Sequence, residues 1–206
     1  MSDFWVMEMP FDTFAALVVF SFVTSITPGP NNFMLMASGV NFGFRRTLPH
    51  MLGIGGGFLI LLLAVGFGLG AILLRYPAFH VALKIAGGCY LLYLAWRIAS
   101  STGLGAKSVG DARPMTFLQA AAFQWVNPKA WVMALTAMAV YTNPAAPFLS
   151  CMIVAIAFTL VNVPSVSVWT GFGMALRGFL SDPLRLRRFN IAMGLLLALT
   201  LVPMLQ

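Results

Sequence analysis

Six stretches of this chain are apolar over about the length a helix needs to cross a bilayer, roughly 20 residues. They run over about Asp12–Gly39, Met51–Leu74, Phe79–Ala99, Thr116–Tyr141, Phe148–Gly173 and Phe189–Leu205. The links between them are short: Asn41–His50, Arg75–Ala78, Ser100–Pro114, Thr142–Pro147 and Met174–Arg188. None has room for a soluble domain. Only 8% of the 206 residues are charged, against about 25% in a soluble domain. That is too little charge to coat a water-soluble surface, so lipid is the solvent. The chain reads as a single transmembrane domain over residues 1–206, all-α throughout.

The net charge of +7 would point to nucleic acid in a soluble protein. Here no basic helix, aromatic RNA-binding motif or zinc spacing accompanies it, and the basic residues sit between the apolar runs. The first, third and fifth links with their edges hold Arg45, Arg46, Arg97, Lys107, Arg113, Arg177, Arg185, Arg187 and Arg188. The opposite side holds Arg75 and Lys84. Basic residues favour the cytoplasmic side, so both termini are expected outside the cytoplasm. The N-terminal segment carries Asp3 and Glu8 and no basic residue, unlike a cleavable signal peptide, so the first helix is expected to stay attached. Cys89 and Cys151 each lie inside an apolar run and read as small buried hydrophobes.

Within the first apolar run lies Ser25-Ile26-Thr27-Pro28-Gly29-Pro30-Asn31-Asn32. Each proline removes a backbone donor and clashes with the carbonyl four residues back. In lipid, backbone freed this way survives only against protein or a water-filled cavity. The fourth run holds a second break, Gln124-Trp125-Val126-Asn127-Pro128-Lys129. Asn127-Pro128 reads as a helix N-cap followed by proline at the first helical position, and Thr27-Pro28 reads the same way. Each break then starts a half-helix whose first N–H groups are unpaired. The helix dipole adds about half a positive charge at that end, which makes a site for a carboxylate.

Both breaks fall in the first helix of a set of three. With three helices per half, the second half enters the membrane in the opposite sense. Matching interruptions in inverted halves point to a transporter site. The expected fold is six transmembrane helices in a 3+3 inverted repeat, with helices one and four broken. Repeat one covers about 12–99 and repeat two about 116–205. Two ordinary proline kinks would be the plainer explanation, but such kinks need no polar residues around them.

Lys129 sits midway along the fourth run, where a lysine costs about 2.5–3.5 kcal/mol on insertion scales. The acids, Asp3, Glu8, Asp12, Asp111 and Asp182, all lie near ends or in links. The anion for Lys129 is therefore expected from outside, as a substrate carboxylate, or from backbone carbonyls freed at a break. The candidate substrate-binding residues are Thr27, Pro28, Gly29, Pro30, Asn31, Asn32, Asn127, Pro128 and Lys129. Asn31, Asn32 and Asn127 supply amides and Lys129 the charge.

Other features carry less. Asn162-Val163-Pro164-Ser165 in helix five fits a simple kink as well as a role at the site. Tyr93, Trp96, Trp125 and Trp131 fit a cavity lining or, more ordinarily, packing and interfacial anchoring. His50 and His80 read as interface residues at helix ends. The Gly53-Ile54-Gly55-Gly56-Gly57 run lacks the last glycine and the preceding strand of a dinucleotide loop. With Gly66 and Gly70 it reads as small-residue helix packing, and no cofactor is expected. Rival functions are a carrier or channel for another small anion or ion, and an intramembrane enzyme or assembly subunit. The lack of intramembrane carboxylates or a Cys/His cluster argues against a metal cation, while Lys129 leaves an inorganic anion open. The enzyme would need Ser25 and Lys129 to meet as nucleophile and base, and no acyl-transfer motif surrounds either.

Thr27-Pro28-Gly29-Pro30-Asn31-Asn32, then Gly43-Phe44-Arg45-Arg46, Gly53 and Gly57, together resemble the first-half signature of the lysine-exporter (LysE/RhtB) family of amino-acid efflux proteins. Gln124-Trp125-Val126-Asn127-Pro128-Lys129 is similar to that family's second motif. Length and helix number fit across the whole chain. The double Asn and Leu94-Ala95-Trp96-Arg97 are similar to the cysteine/O-acetylserine exporter branch. The resemblance implies a bacterial inner-membrane exporter of small amino acids or their derivatives, driven by the proton gradient as an antiporter. Its partners would be a small amino acid, protons and lipid, with a homodimer as the candidate assembly. No carboxylate or histidine is read at depth to carry the proton. Asp12, at the outer end of helix one, is the nearest candidate.

Overall fold

A computed structural model describes residues 9–70, 75–101 and 113–202, apart from the side chains of residues 77, 79, 80 and 83. The expectations for Asp3, Glu8, Lys107, Asp111, the ends of runs two and six and the His80 side chain lie outside the described residues. All regular structure among these residues is helical. In chain order the helices are α1 Phe11–Ile26, α2 Pro30–Phe42, α3 Phe44–Ala64, α4 Pro77–Ala99, α5 Phe117–Gln124, α6 Pro128–Tyr141, α7 Pro147–Leu176 and α8 Pro183–Leu199. A π-helical turn, Val65–Leu69, prolongs α3.

Two of these helices are long and apolar enough to cross a membrane unaided, the α3 rod through Leu69 and α7. The pair α1 and α2, bent by 58° at its break, is apolar enough to make a third if it crosses as one span. Large apolar side chains face outward along the helices, among them Leu118, Leu160 and Val132. Exposed apolar surface on that scale suits hydrocarbon rather than water. The chain is an all-helical membrane protein.

The first link is shorter than its polarity implies. Asn41–His50 is expected between helices, but α2 runs to Phe42 and α3 starts at Phe44. Gly43 alone makes the turn, with φ 79°, a backbone region that favours glycine. The last helix begins at Pro183 rather than Phe189. Asp182 caps it by accepting from the Arg185 N–H at 2.9 Å. A reading by apolarity alone skips that arginine-rich first turn. Pro164 bends no break into α7, which stays one helix from Pro147 to Leu176.

Helix α7 packs against α1, α2 and α3, while α3 also lies along α5 and α4 along α8. Close approach at glycines sets these contacts. A Cβ on Gly57 would strike the Ala121 backbone of α5, and one on Gly194 the Ala95 carbonyl of α4. Between α2 and α7 the fit is mutual, since a Cβ on Gly39 would strike the Thr170 carbonyl and one on Gly173 the Met36 carbonyl. Phe58 and Phe158 meet edge to face at 5.1 Å in the core beside Leu17, Leu61 and Val154.

Buried polar pairs tie the elements together. Asn41 donates to Asn190 at 3.0 Å, Asn190 to the Ser101 carbonyl at 2.9 Å, and the Ser101 hydroxyl to Asn41 at 3.3 Å. His50 corrects an expectation. It lies in the second turn of α3 rather than at a helix end, is only 2% exposed, and neither ring nitrogen has a hydrogen-bond partner.

Candidate functional site

The first break is built by its two prolines. The residue before a proline is pushed out of the helical region. Pro28 holds Thr27 extended at ψ 143° and so ends α1, and Pro30 follows an extended Gly29 and opens α2. The helix-starting residue is therefore Gly29 with Pro30 in the first position, not Thr27 with Pro28 as the motif alone implies.

Ending a helix in the membrane interior strands its last carbonyl oxygens. Here each one has a donor. The Thr27 hydroxyl donates to the Thr24 carbonyl at 3.0 Å. The Asn32 amide donates to the carbonyls of Ser25 at 3.0 Å and Thr27 at 2.7 Å. The Trp169 indole N–H, from α7, reaches the Ile26 carbonyl at 3.1 Å. Lys129 completes the set. Its ammonium donates to the Thr27 carbonyl at 2.6 Å, the Thr27 hydroxyl at 3.0 Å and the Pro28 carbonyl at 3.4 Å.

The second break supplies that lysine. The end of α5 closes in tight turns, with Trp125 N–H to Ala122 and Val126 N–H to Phe123, both at 3.1 Å. Asn127 then caps α6, accepting from the Lys129 N–H at 3.2 Å, with Pro128 at the first helical position. Lys129 is thus fixed in the first turn of a fresh helix and aimed at the other break. A Cβ on Gly29 would lie 2.8 Å from Lys129 Cδ and 3.1 Å from Nζ, so the absent side chain is what lets the lysine lie against the backbone.

A second pair joins the breaks. Asn31 donates to Gln124 at 2.9 Å, and Gln124 donates back at 3.3 Å and to the Ala120 carbonyl at 2.9 Å. The starts of α2 and α6 line one cavity together with Ser25, Gln124 and Asn162. It has room for about 20 Å³ of water centres, one or two waters' worth. Ile54, Phe58, Met133 and Val166 form its apolar wall.

The structure brings Gly29, Pro30, Asn31, Asn32, Asn127 and Lys129 to that cavity. Thr27 and Pro28 join them through the Lys129 ammonium, and Pro128 starts the helix that carries it. Asp12 stands apart, exposed in the first turn of α1. Tyr93 and Trp96 face outward, and the Trp131 indole bonds the Trp125 carbonyl at 2.8 Å, so none of the four aromatics lines the cavity. Gln124 is a site residue that the motif alone does not single out, and for Asn162 the structure favours a place at the cavity over a simple kink. Gln124 stands inside the second motif, and Asn162 is an asparagine in the middle of an apolar helix.

No solved structure matches the chain. Among curated proteins it is similar to the cysteine/O-acetylserine efflux proteins of Escherichia coli (strain K12) and Shigella sonnei (strain Ss046). To each it is 31% identical over 191 residues, covering 91% of this chain and 93% of the relative. The sequence model of the LysE type translocator family matches residues 22–202, which takes in both breaks. A translocator moves its substrate without converting it, so the chain is not an enzyme. With its helical membrane fold and two breaks meeting at one cavity, the chain belongs to the LysE type translocator family.

Proposed function

We propose that this protein exports small neutral amino acids or their derivatives, of the cysteine and O-acetylserine kind, across the bacterial inner membrane. One observation carries the reading. Two helix N-termini open on a single cavity with the Lys129 ammonium between them, and no acid lines it among the described residues. Such a site lacks an anion, and an amino-acid carboxylate supplies one. The names of the relatives, cysteine/O-acetylserine efflux proteins, agree with this substrate class and with outward movement.

In the present conformation the ammonium is satisfied by the Thr27 and Pro28 carbonyls. A carboxylate takes their place because it adds a full negative charge facing the ammonium, which neutral carbonyls do not supply. The cavity is too small for an amino acid as it stands, so binding requires the breaks to part. We read the chain as six spans in two inverted sets of three, rocking about this site to expose it to one side at a time. Both termini face the periplasm, by the charge bias of the links. The proton gradient drives export, and Asp12 is the candidate proton carrier.

Full-length protein in liposomes loaded with labelled amino acids tests the reading. With the outside made acidic, cysteine and O-acetylserine are expected to leave faster than from protein-free liposomes, and an uncoupler removes the proton-driven part of the difference. Faster release of an inorganic anion, with no release of either amino acid, contradicts it.

A further inference from the structure

Asn162 is 4% exposed, lines the cavity from the middle of α7, and is only half satisfied. Its amide N–H donates to the Ser25 hydroxyl at 2.9 Å. Its carbonyl oxygen is buried with no hydrogen-bond partner. A sealed, unpaired acceptor is costly in any protein interior. Here it sits on the wall of the cavity that holds Lys129. The side-chain donors of Asn31, Asn32 and Lys129 are already committed to protein oxygens. A small molecule entering the cavity, water or cargo, supplies the donor that the protein does not.

We propose that the Asn162 carbonyl oxygen receives the α-ammonium of the substrate, while the Lys129 ammonium on the same cavity receives its carboxylate. This rests on the carboxylate reading of Lys129 and deepens it. An α-amino acid presents an acceptor group and a donor group on one carbon, and the cavity offers one partner for each. Both partners match in kind: a cation for the carboxylate and an oxygen for the ammonium. The oxygen belongs to a neutral amide, so the site gains no second charge. A zwitterion leaves the occupied cavity with the single charge of Lys129. A cargo with a further basic group would bring a cation for which no carboxylate lines the cavity among the described residues. Its side chain would meet Ile54, Phe58, Met133 and Val166 instead. The assigned class is zwitterions with a short uncharged side chain, with lysine and arginine excluded.

Binding to the purified full-length protein tests this with three probes: L-cysteine, 3-mercaptopropionate, which lacks the ammonium, and L-cysteine methyl ester, which lacks the carboxylate. A hydrogen bond to a charged group corresponds to about a tenfold difference or more. The wild type is therefore expected to prefer cysteine over 3-mercaptopropionate by at least about tenfold. Asn162→Leu reduces that preference to within about twofold by weakening cysteine alone. Asn162→Asp, nearly the same shape, weakens 3-mercaptopropionate through charge repulsion and keeps cysteine. An unchanged preference in either variant overturns the assignment while leaving Lys129 its carboxylate. If the methyl ester binds the wild type as tightly as cysteine does, the carboxylate reading itself fails, and the Asn162 assignment fails with it.

Discussion

The Lys129 ammonium donates to the Thr27 carbonyl at 2.6 Å, joining residues 102 positions apart. The contact passes over Gly29, where a Cβ would meet Lys129 Cδ at 2.8 Å. The obstructed atoms are near the end of a flexible side chain, so the fold tolerates a methyl group there by moving the lysine. Gly29→Ala is expected to leave the protein folded with a melting temperature lower by about ten degrees at most, since it disturbs only the three hydrogen bonds of one ammonium. It lowers the initial rate of amino-acid export by tenfold or more, because the ammonium no longer stands between the breaks. Thermal melting and liposome efflux on the same preparation check both halves of the expectation.

Asn31 and Gln124 hold the two breaks together by a reciprocal amide pair at 2.9 and 3.3 Å. Gln124 is fully buried, so truncating Asn31 leaves the Gln124 amide oxygen without its donor, at a cost of about 1–3 kcal/mol, and truncating Gln124 frees the half-buried Asn31 amide and opens a void. Asn31→Ala and Gln124→Ala are each expected to destabilise by that amount. The double variant costs less than the sum of the two, with a coupling of about 0.5–3 kcal/mol. Denaturation of the four proteins in one detergent measures the coupling, and strict additivity denies the pair.

The approach of α2 to α7 rests on glycine. A Cβ on Gly173 would strike the Met36 carbonyl, whereas one on Gly171 meets nothing within 4 Å. Gly173→Ala must push two helix backbones apart and is expected to destabilise by about 1–3 kcal/mol. Gly171→Ala, two residues away, is expected to be neutral or to stabilise by about 0.5–1 kcal/mol through helix propensity. Comparison of the two melting temperatures checks the packing with helix composition held constant.

Much of this architecture is legible in the residues. Proline's missing N–H and its effect on the preceding residue place both breaks, and the scarcity of charge dictates lipid. The position of Lys129, with no acid at its depth, indicates that its partners are carbonyls or cargo. What the sequence hides is pairing across long separations. Nothing local says that Asn32 ties off the Ser25 and Thr27 carbonyls, or that Trp169 serves Ile26. Thr27 and Gly29 compete as the cap, and the second proline decides it by holding Gly29 extended. His50 follows two arginines and a proline and so looks like the edge of a helix. The one-residue turn at Gly43 instead carries it a turn and a half into α3. Asn162 stays ambiguous in the sequence because its significance lies in an oxygen that the fold leaves unpaired.

The central claim is that Lys129 receives the carboxylate of the cargo between two helix ends. Efflux of labelled cysteine from liposomes containing Lys129→Ala, at wild-type protein abundance and orientation, tests it most directly. The account predicts release no faster than from protein-free liposomes. Release at the wild-type rate would contradict it.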